Sequence, residues 1–219
     1  MCSAWQRPCV RRCACDGPDR VMAKRIFDLL AATLALALLW PLLAVVALWI
    51  RLDSPGPAMF RQQRVGRHGR LFAIHKFRTM VADAPQRGLQ ITVGDDPRIT
   101  RAGAFLRRSK LDELPQLVDV LAGHMSLVGP RPELPAYVAH YPAALRERVL
   151  AVRPGITDPV SLDLADENEL LGRAADPERE YVEVLLPQKL RAAAAYAERA
   201  TLWTDLQVIG RTLRLLARR

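Results

Sequence analysis

From residue 29 to residue 50 the chain carries no charge, and Pro41 falls inside that run. With its flanks the apolar segment covers residues 26–50, longer than the roughly 20 residues a membrane-crossing helix needs. Uncharged helices of this length are uncommon in small soluble domains, so the segment predicts contact with lipid. Two features argue against a plain span. Pro41 removes a backbone donor and crowds the preceding turn, which kinks or breaks a helix. Lys24 and Arg25 stand before the run and Arg51 after it, whereas a single span concentrates its cations on one side. A helix that enters one leaflet, breaks at Pro41 and returns to the same face satisfies both. A straight, kinked span remains the alternative. In the first case Asp28 lies at headgroup depth or pairs with Lys24 four residues back.

The charge of the chain is localised beside this segment. Between Arg51 and Lys110 there are 13 Lys/Arg against 4 Asp/Glu, an excess of 9 that matches the net charge of +9 for all 219 residues. A basic patch next to an apolar helix attracts phosphate, whether of anionic lipid, nucleic acid or a small substrate. The pI near 10.0 alone would suit nucleic acid, but no DNA- or RNA-binding motif is present. Cys2, Cys9, Cys13 and Cys15 all fall in the first fifteen residues, with neither zinc-ligand spacing nor a histidine nearby. They read as part of a tail, residues 1–23, outside the main chemistry, with Met22 an alternative start. His68, His75, His124 and His140 show no metal or triad spacing, and no phosphate-binding, dinucleotide or G-x-S-x-G loop appears.

After the apolar run, Asp53-Ser54-Pro55-Gly56-Pro57 marks a turn. Residues 60–65 and 71–80 flank Gly66-Arg67-His68-Gly69 and predict a short β-hairpin. Asp95-Asp96-Pro97 is a further turn. Helices are expected over about 103–109, 114–121, 135–152 and 177–199. Over 202–219, Leu202, Leu206, Ile209, Leu213 and Leu216 share one face, with Trp203 at its edge and Arg211, Arg214, Arg218 and Arg219 outside it. Such a helix suits either a membrane interface or packing on the domain.

The stretch FLRRSKLDELPQ, residues 105–116, carries the densest chemistry. Pro115 is best tolerated in a first helical turn, which leaves Asp112 and Glu113 just ahead of a helix N-terminus. A carboxylate there, beside Arg107, Arg108 and Lys110, stays ionised and can attack phosphorus, while its neighbour can hold Mg²⁺ or handle a proton. Ser109-x-x-Asp112 also matches a capping box, in which Asp112 only satisfies a backbone N–H. On spacing alone that second reading is the stronger. Lys76 and Arg78 close a strand, and Arg131 sits on the stiff loop Gly129-Pro130-Arg131-Pro132, suited to a bidentate phosphate contact. Arg153-Pro154-Gly155 is a second stiff turn.

Taken in order, KRIFDLL, LDSPGPAMFRQQRVGRHGRLFAIHKFRTM, DDPRITRAGAFLRRSKLDELPQL, MSLVGPRPE and VRPGIT resemble the bacterial sugar transferase family of monotopic polyprenyl-phosphate phosphoglycosyl transferases. The resemblance implies an α/β, mostly helical fold. It would comprise a re-entrant membrane helix (24–51) broken at Pro41, a cytoplasmic catalytic domain (52–200) and an interfacial amphipathic helix (201–219). It implies transfer of a sugar-1-phosphate from a UDP-sugar to polyprenyl phosphate at the cytoplasmic face of the bacterial inner membrane, initiating a cell-surface glycan. Asp112 would be the nucleophile, Glu113 its partner, and Mg²⁺ the cofactor held by the two. Arg107 and Arg131 would hold phosphate or nucleotide oxygens, and Lys76 and Arg78, the two cations read at the strand end, are expected to bind phosphate beside them. Nucleic acid is not an expected partner; an oligomer is compatible with it. Trp40 precedes Pro41 where the family often has a small polar residue, and Asp158 follows PGIT where many members have Gly. The acidic stretch 163–183 leaves the sugar open. A non-catalytic membrane-anchored module that binds anionic lipid is the alternative.

Overall fold

The structure is a computed structural model and describes residues 18–87, 91–94, 96–159 and 167–217. The four cysteines, the first part of the acidic stretch, and Asp95, Arg218 and Arg219 lie outside the described residues. Helix α1 runs from Pro18 to Asp53 with Pro41 inside it, and is long and apolar enough to cross a membrane. The expected break is therefore not an end to the helix, which is helical on both sides of the proline. What the proline does coincide with is a gap in packing. Ala32, with Ala35 and Leu36 beside it, packs against Phe72, Ile74, Val120 and Met125. Val46 and Ile50, with Leu43 and Ala47, pack against Ala58, Phe77 and Leu106. Between these two contacts Leu38, Trp40, Pro41 and Leu42 are exposed, Leu38 by 75%.

Polar groups fasten the first of these two arms. Lys24 Nζ donates to Val128 O at 3.1 Å and forms an ion pair with Asp205. Arg25 donates to Val120 O and Leu121 O at 2.7 and 3.2 Å. Asp28, only 2% exposed, accepts from Leu127 N at 3.2 Å. Asp28 is thus buried on the domain and does not pair with Lys24, whose partner is Asp205. Both charged groups turn onto the domain, because a buried carboxylate needs donors and finds one on a strand edge.

Strands β1 (Met59–Val65) and β2 (Leu71–Phe77) form the expected antiparallel hairpin, from Met59 opposite Phe77 to Val65 opposite Leu71. Helix α2 covers Arg101–Ser109, a 3-10 segment covers Leu111–Gln116, and α3 covers Leu117–Leu121. Strand β3 (Ser126–Val128) pairs in parallel with β4 (Gly155–Thr157). The helix expected over 135–152 is two, α4 (Pro135–Val138) and α5 (Ala143–Leu150). Pro142 disfavours helical geometry at the residue before it and so splits the run. Helices α6 (Glu167–Arg173), α7 (Pro177–Glu180) and α8 (Leu186–Arg199) follow; a wider π turn at Tyr181–Leu185 joins the last two just ahead of Pro187. Helix α9 (Leu202–Ala217) buries Asp205 and Val208 against the domain. Leu202, Trp203, Leu206 and Leu213 stay exposed. One side of α9 is packed, and the apolar face read from the sequence is mostly open.

Candidate active site

Helix α2 ends because Lys110 turns left-handed, with φ +58°. Its N–H bonds back to Arg107 O at 3.3 Å, and the chain re-enters as the 3-10 segment, Glu113 N bonding Lys110 O at 3.3 Å. This geometry overturns the capping-box reading. Ser109 is the last residue of α2, and its hydroxyl donates to Phe105 O and Leu106 O at 2.9 and 3.3 Å. Asp112 caps nothing: its Oδ1 is buried with no hydrogen-bond partner. An unpaired buried acceptor costs about 1–3 kcal/mol. Pro115 sits inside the 3-10 segment rather than opening an α-helix, so α3 begins further on than expected.

Glu113 is the hub of the site. Its Oε1 accepts from Lys76 Nζ on β2 at 2.9 Å and from Arg131 Nη2 at 2.5 Å. The Arg131 loop is held by a close crossing of two backbones: Gly129 N donates to Thr157 O at 3.1 Å and Gly155 N to Pro130 O at 3.0 Å. A Cβ on Gly155 would lie 2.1 Å from Gly129 N, so only glycine fits there. Burial pushes the Glu113 carboxyl up, but Arg131 and Lys76 outweigh it and hold the group well below the usual carboxylate range. The Glu113 charge in turn raises Arg131. Burial lowers Lys76, against the pull of Glu113. Asp112 moves the other way: burial, then the neighbouring Glu113 charge, push its carboxyl up, against Lys76, Lys110 and Arg107. The two adjacent carboxylates are thereby split into a firmly ionised structural one and an unpaired, raised one.

Arg107 approaches from α2, close enough for its charge to act on Asp112. Its Nε donates to Thr79 Oγ1 at 2.9 Å and its Nη1 to Thr92 Oγ1 at 3.0 Å. Burial lowers it. Arg78 is not brought into this cluster. Its guanidinium donates to Pro55 O, to Ser54 O at 2.7 Å and to Ile50 O at 3.4 Å, clamping the turn where α1 ends. Asp112, Glu113, Lys76, Arg107 and Arg131 therefore come together, while Arg78 fastens the end of α1 and Pro41 lies inside that helix.

Other residues of the site carry a weaker signal. Glu133, at the end of the MSLVGPRPE segment, accepts from Tyr181 OH at 2.8 Å and faces Arg64 at 3.8 Å. These contacts steady the loop that carries Arg131. No motif points to Thr92.

Among the described residues no three His, Cys, Asp or Glu side chains converge as a metal cage. Mg²⁺ does not need one, since it commonly binds through one or two carboxylates plus substrate phosphates. The unpartnered Asp112 oxygen is a hard anionic donor of that kind and fits a cation shared with a phosphorylated ligand, to which Glu113, with Oε1 taken by Lys76 and Arg131, would add only its other oxygen.

A sequence profile described as bacterial sugar transferase matches residues 19–219. A protein of Caulobacter vibrioides named UDP-glucose:undecaprenyl-phosphate glucose-1-phosphate transferase is 44% identical over 196 residues, covering 88% of this chain and 68% of its own length. One of the same name from Xanthomonas campestris pv. campestris is 39% identical over 200 residues, covering 88% and 39%. A UDP-N-acetylgalactosamine-undecaprenyl-phosphate N-acetylgalactosaminephosphotransferase of Aeromonas hydrophila is 36% identical over 203 residues, covering 91% and 44%. The chain spans about two thirds of the first of these relatives and less than half of the other two. By the match over nearly its whole length, and by the cluster of Asp112, Glu113 and their cations, the chain belongs to the bacterial sugar transferase family.

Proposed function

We propose that the chain transfers a sugar-1-phosphate from a UDP-sugar to polyprenyl phosphate, with Asp112 as a covalent nucleophile. The observation that carries this is the buried, unpartnered Asp112 oxygen beside a neighbour whose charge is already taken by Lys76 and Arg131. A module that only held anionic lipid would have no use for it, and burying it would be a net loss. In the first step an Asp112 oxygen bonds to the β-phosphorus while that phosphorus releases the bridging oxygen, and UMP leaves with the electron pair. In the second step an oxygen of polyprenyl phosphate attacks the same phosphorus and the Asp112 carboxylate departs, giving polyprenyl-diphosphate-sugar. Arg107 and Arg131 hold phosphoryl oxygens, and Glu113 keeps Lys76 and Arg131 in place. Asp112 and Glu113 are each 8% exposed, so the attacking carboxylate is largely out of bulk water. Bound Mg²⁺, held by Asp112 and Glu113, would neutralise diphosphate charge. Relatives named for glucose and for N-acetylgalactosamine leave the sugar to a substrate panel.

The re-entrant reading of α1 belongs to the same proposal. Both arms of the helix pack on one domain, and the exposed apolar stretch around Pro41 lies between them. Cations stand at both ends. The exposed Leu and Trp side chains of α9 offer a second contact with the same surface. These features support a helix that dips into the cytoplasmic leaflet of the bacterial inner membrane and returns.

The direct assay is UMP release from a panel of UDP-sugars with Mg²⁺. Asp112→Asn should lower it by about a thousand-fold or more; inert wild-type protein across the panel, or an active Asp112→Asn variant, would sink the reading. The pH profile carries a second expectation. The attacking form of Asp112 is ionised, and its carboxyl is raised, so kcat/KM for the donor should fall with acidification at a pH above the ordinary carboxylate range. Glu113→Gln removes one of the causes that raise Asp112 and frees two cations, so the acid limb should move to lower pH even as the maximum rate drops. A limb that stays put or moves up contradicts that assignment. For topology, single cysteines placed before residue 25 and after residue 51, with the native cysteines replaced, should both label from the cytoplasmic side. Labelling from opposite faces would rule out the re-entrant helix.

A further inference from the structure

Arg107 is the cation of the site without a carboxylate on it. Lys76 and Arg131 both sit on Glu113, whereas among the described residues Arg107 is within salt-bridge distance of no acid and is bonded to two neutral hydroxyls. A partly buried guanidinium in that setting is matched to an anion supplied from outside.

The two hydroxyls are set in place by the backbone packing around them. Thr79 follows β2, and its carbonyl accepts from Thr100 N at 3.1 Å while lying against Gly103, where a Cβ would come within 1.9 Å of Thr79 O. That bare approach lets the strand end rest on the first turn of α2, and one turn further on Arg107 reaches the Thr79 hydroxyl. Thr92 lies between Ile91 and Val93, which pack against the cluster containing Leu134, Tyr137 and Leu171. Arg98 steadies the same segment by donating to Ile91 O at 3.3 Å and to both oxygens of Asp96.

A threonine hydroxyl has one proton and can also accept. Both Thr79 and Thr92 spend an acceptor site on Arg107, and among the described residues neither donates its own proton to a protein group. Each therefore carries an O–H available to an anionic oxygen next to the guanidinium. We infer that Thr79, Thr92 and Arg107 form one cradle in which the two hydroxyls donate directly to the diphosphate of the nucleotide donor. This rests on the transfer reaction proposed above and extends it to two residues. The ligand chemistry, a phosphate oxygen, could also come from polyprenyl phosphate. The donor is favoured because Ile91 and Val93, which flank Thr92, pack on a cluster separate from the two that seat α1.

The test uses the full chain in detergent or nanodiscs, with UDP as the binding probe and steady-state kinetics for both substrates. Thr79→Val and Thr92→Val should each weaken UDP binding and raise the KM for the UDP-sugar about tenfold or more, the effect of one lost hydrogen bond to a charged group. The KM for polyprenyl phosphate should not change, and Thr79→Ser and Thr92→Ser should retain wild-type binding. In an Arg107→Gln background the Thr92→Val change should still weaken UDP binding by about threefold or more. Loss of the effect in that background would reduce Thr92 to a prop for Arg107 and overturn direct donation. UDP affinity unchanged in both valine variants, or a matching rise in the KM for polyprenyl phosphate, would overturn the cradle. Wild-type protein that binds UDP in this hydroxyl-dependent way but releases no UMP from any UDP-sugar would instead remove the reaction and leave the cradle standing.

Discussion

The shared carboxylate oxygen of Glu113 is the contact on which the rest of the site depends. Lys76 from β2 and Arg131 from the loop after β3 meet on it, at 2.9 and 2.5 Å, inside the protein. Three chain segments far apart in sequence are thereby fixed to one atom. Buried charges are expensive to desolvate, and removing one member of such a set typically costs about 3–5 kcal/mol because the others are left unpaired. The set is not there for stability alone. By taking two cations onto Glu113 it leaves Asp112, the adjacent residue, with its oxygen unclaimed.

The division of labour between the two carboxylates is a matter of backbone geometry. A left-handed Lys110 stops α2 and sends the chain into a 3-10 segment, where successive residues point in directions about 120° apart. Glu113 is directed at β2 and the Arg131 loop. Asp112 makes neither of these contacts, and its buried oxygen feels the charges of Lys76, Lys110 and Arg107. Helix α1 enters this scheme through its anchors: Lys24 bonds Val128 O and Asp28 bonds Leu127 N, both on the strand that runs into Gly129 and Arg131. The long apolar helix and the loop that carries Arg131 therefore share one short strand.

Much of this was legible in the residues, and the failures have physical reasons. The uncharged run marks α1, and the Gly-flanked turn marks the hairpin. The family resemblance picks out Asp112, Glu113, Arg107 and Arg131, which the structure brings together with Lys76. Spacing alone favoured a capping box at Ser109 and Asp112, because a pattern of residue types cannot show that Lys110 turns left-handed between them. Arg78 was grouped with Lys76 because both stand at the end of the strand expected over residues 71–80. The strand ends at Phe77, and Arg78 swings onto the carbonyls at the end of α1. Asp28 looked like a membrane-surface group because its partner, Leu127 N, is 99 residues away. Thr92 could not be found at all from local pattern, since its contact with Arg107 joins positions 15 residues apart in a stretch without a motif.

The central claim is that Asp112 forms a bond to the transferred phosphorus before the lipid acceptor takes part. The most direct measurement is mass spectrometry of the intact protein and its peptides after incubation with the UDP-sugar and Mg²⁺ in the absence of polyprenyl phosphate. The account predicts UMP in amounts up to one equivalent and a sugar-phosphate adduct on the peptide containing Asp112, discharged when polyprenyl phosphate is added. UMP that appears only when both substrates are present, with no adduct at any time, would contradict it and indicate direct displacement.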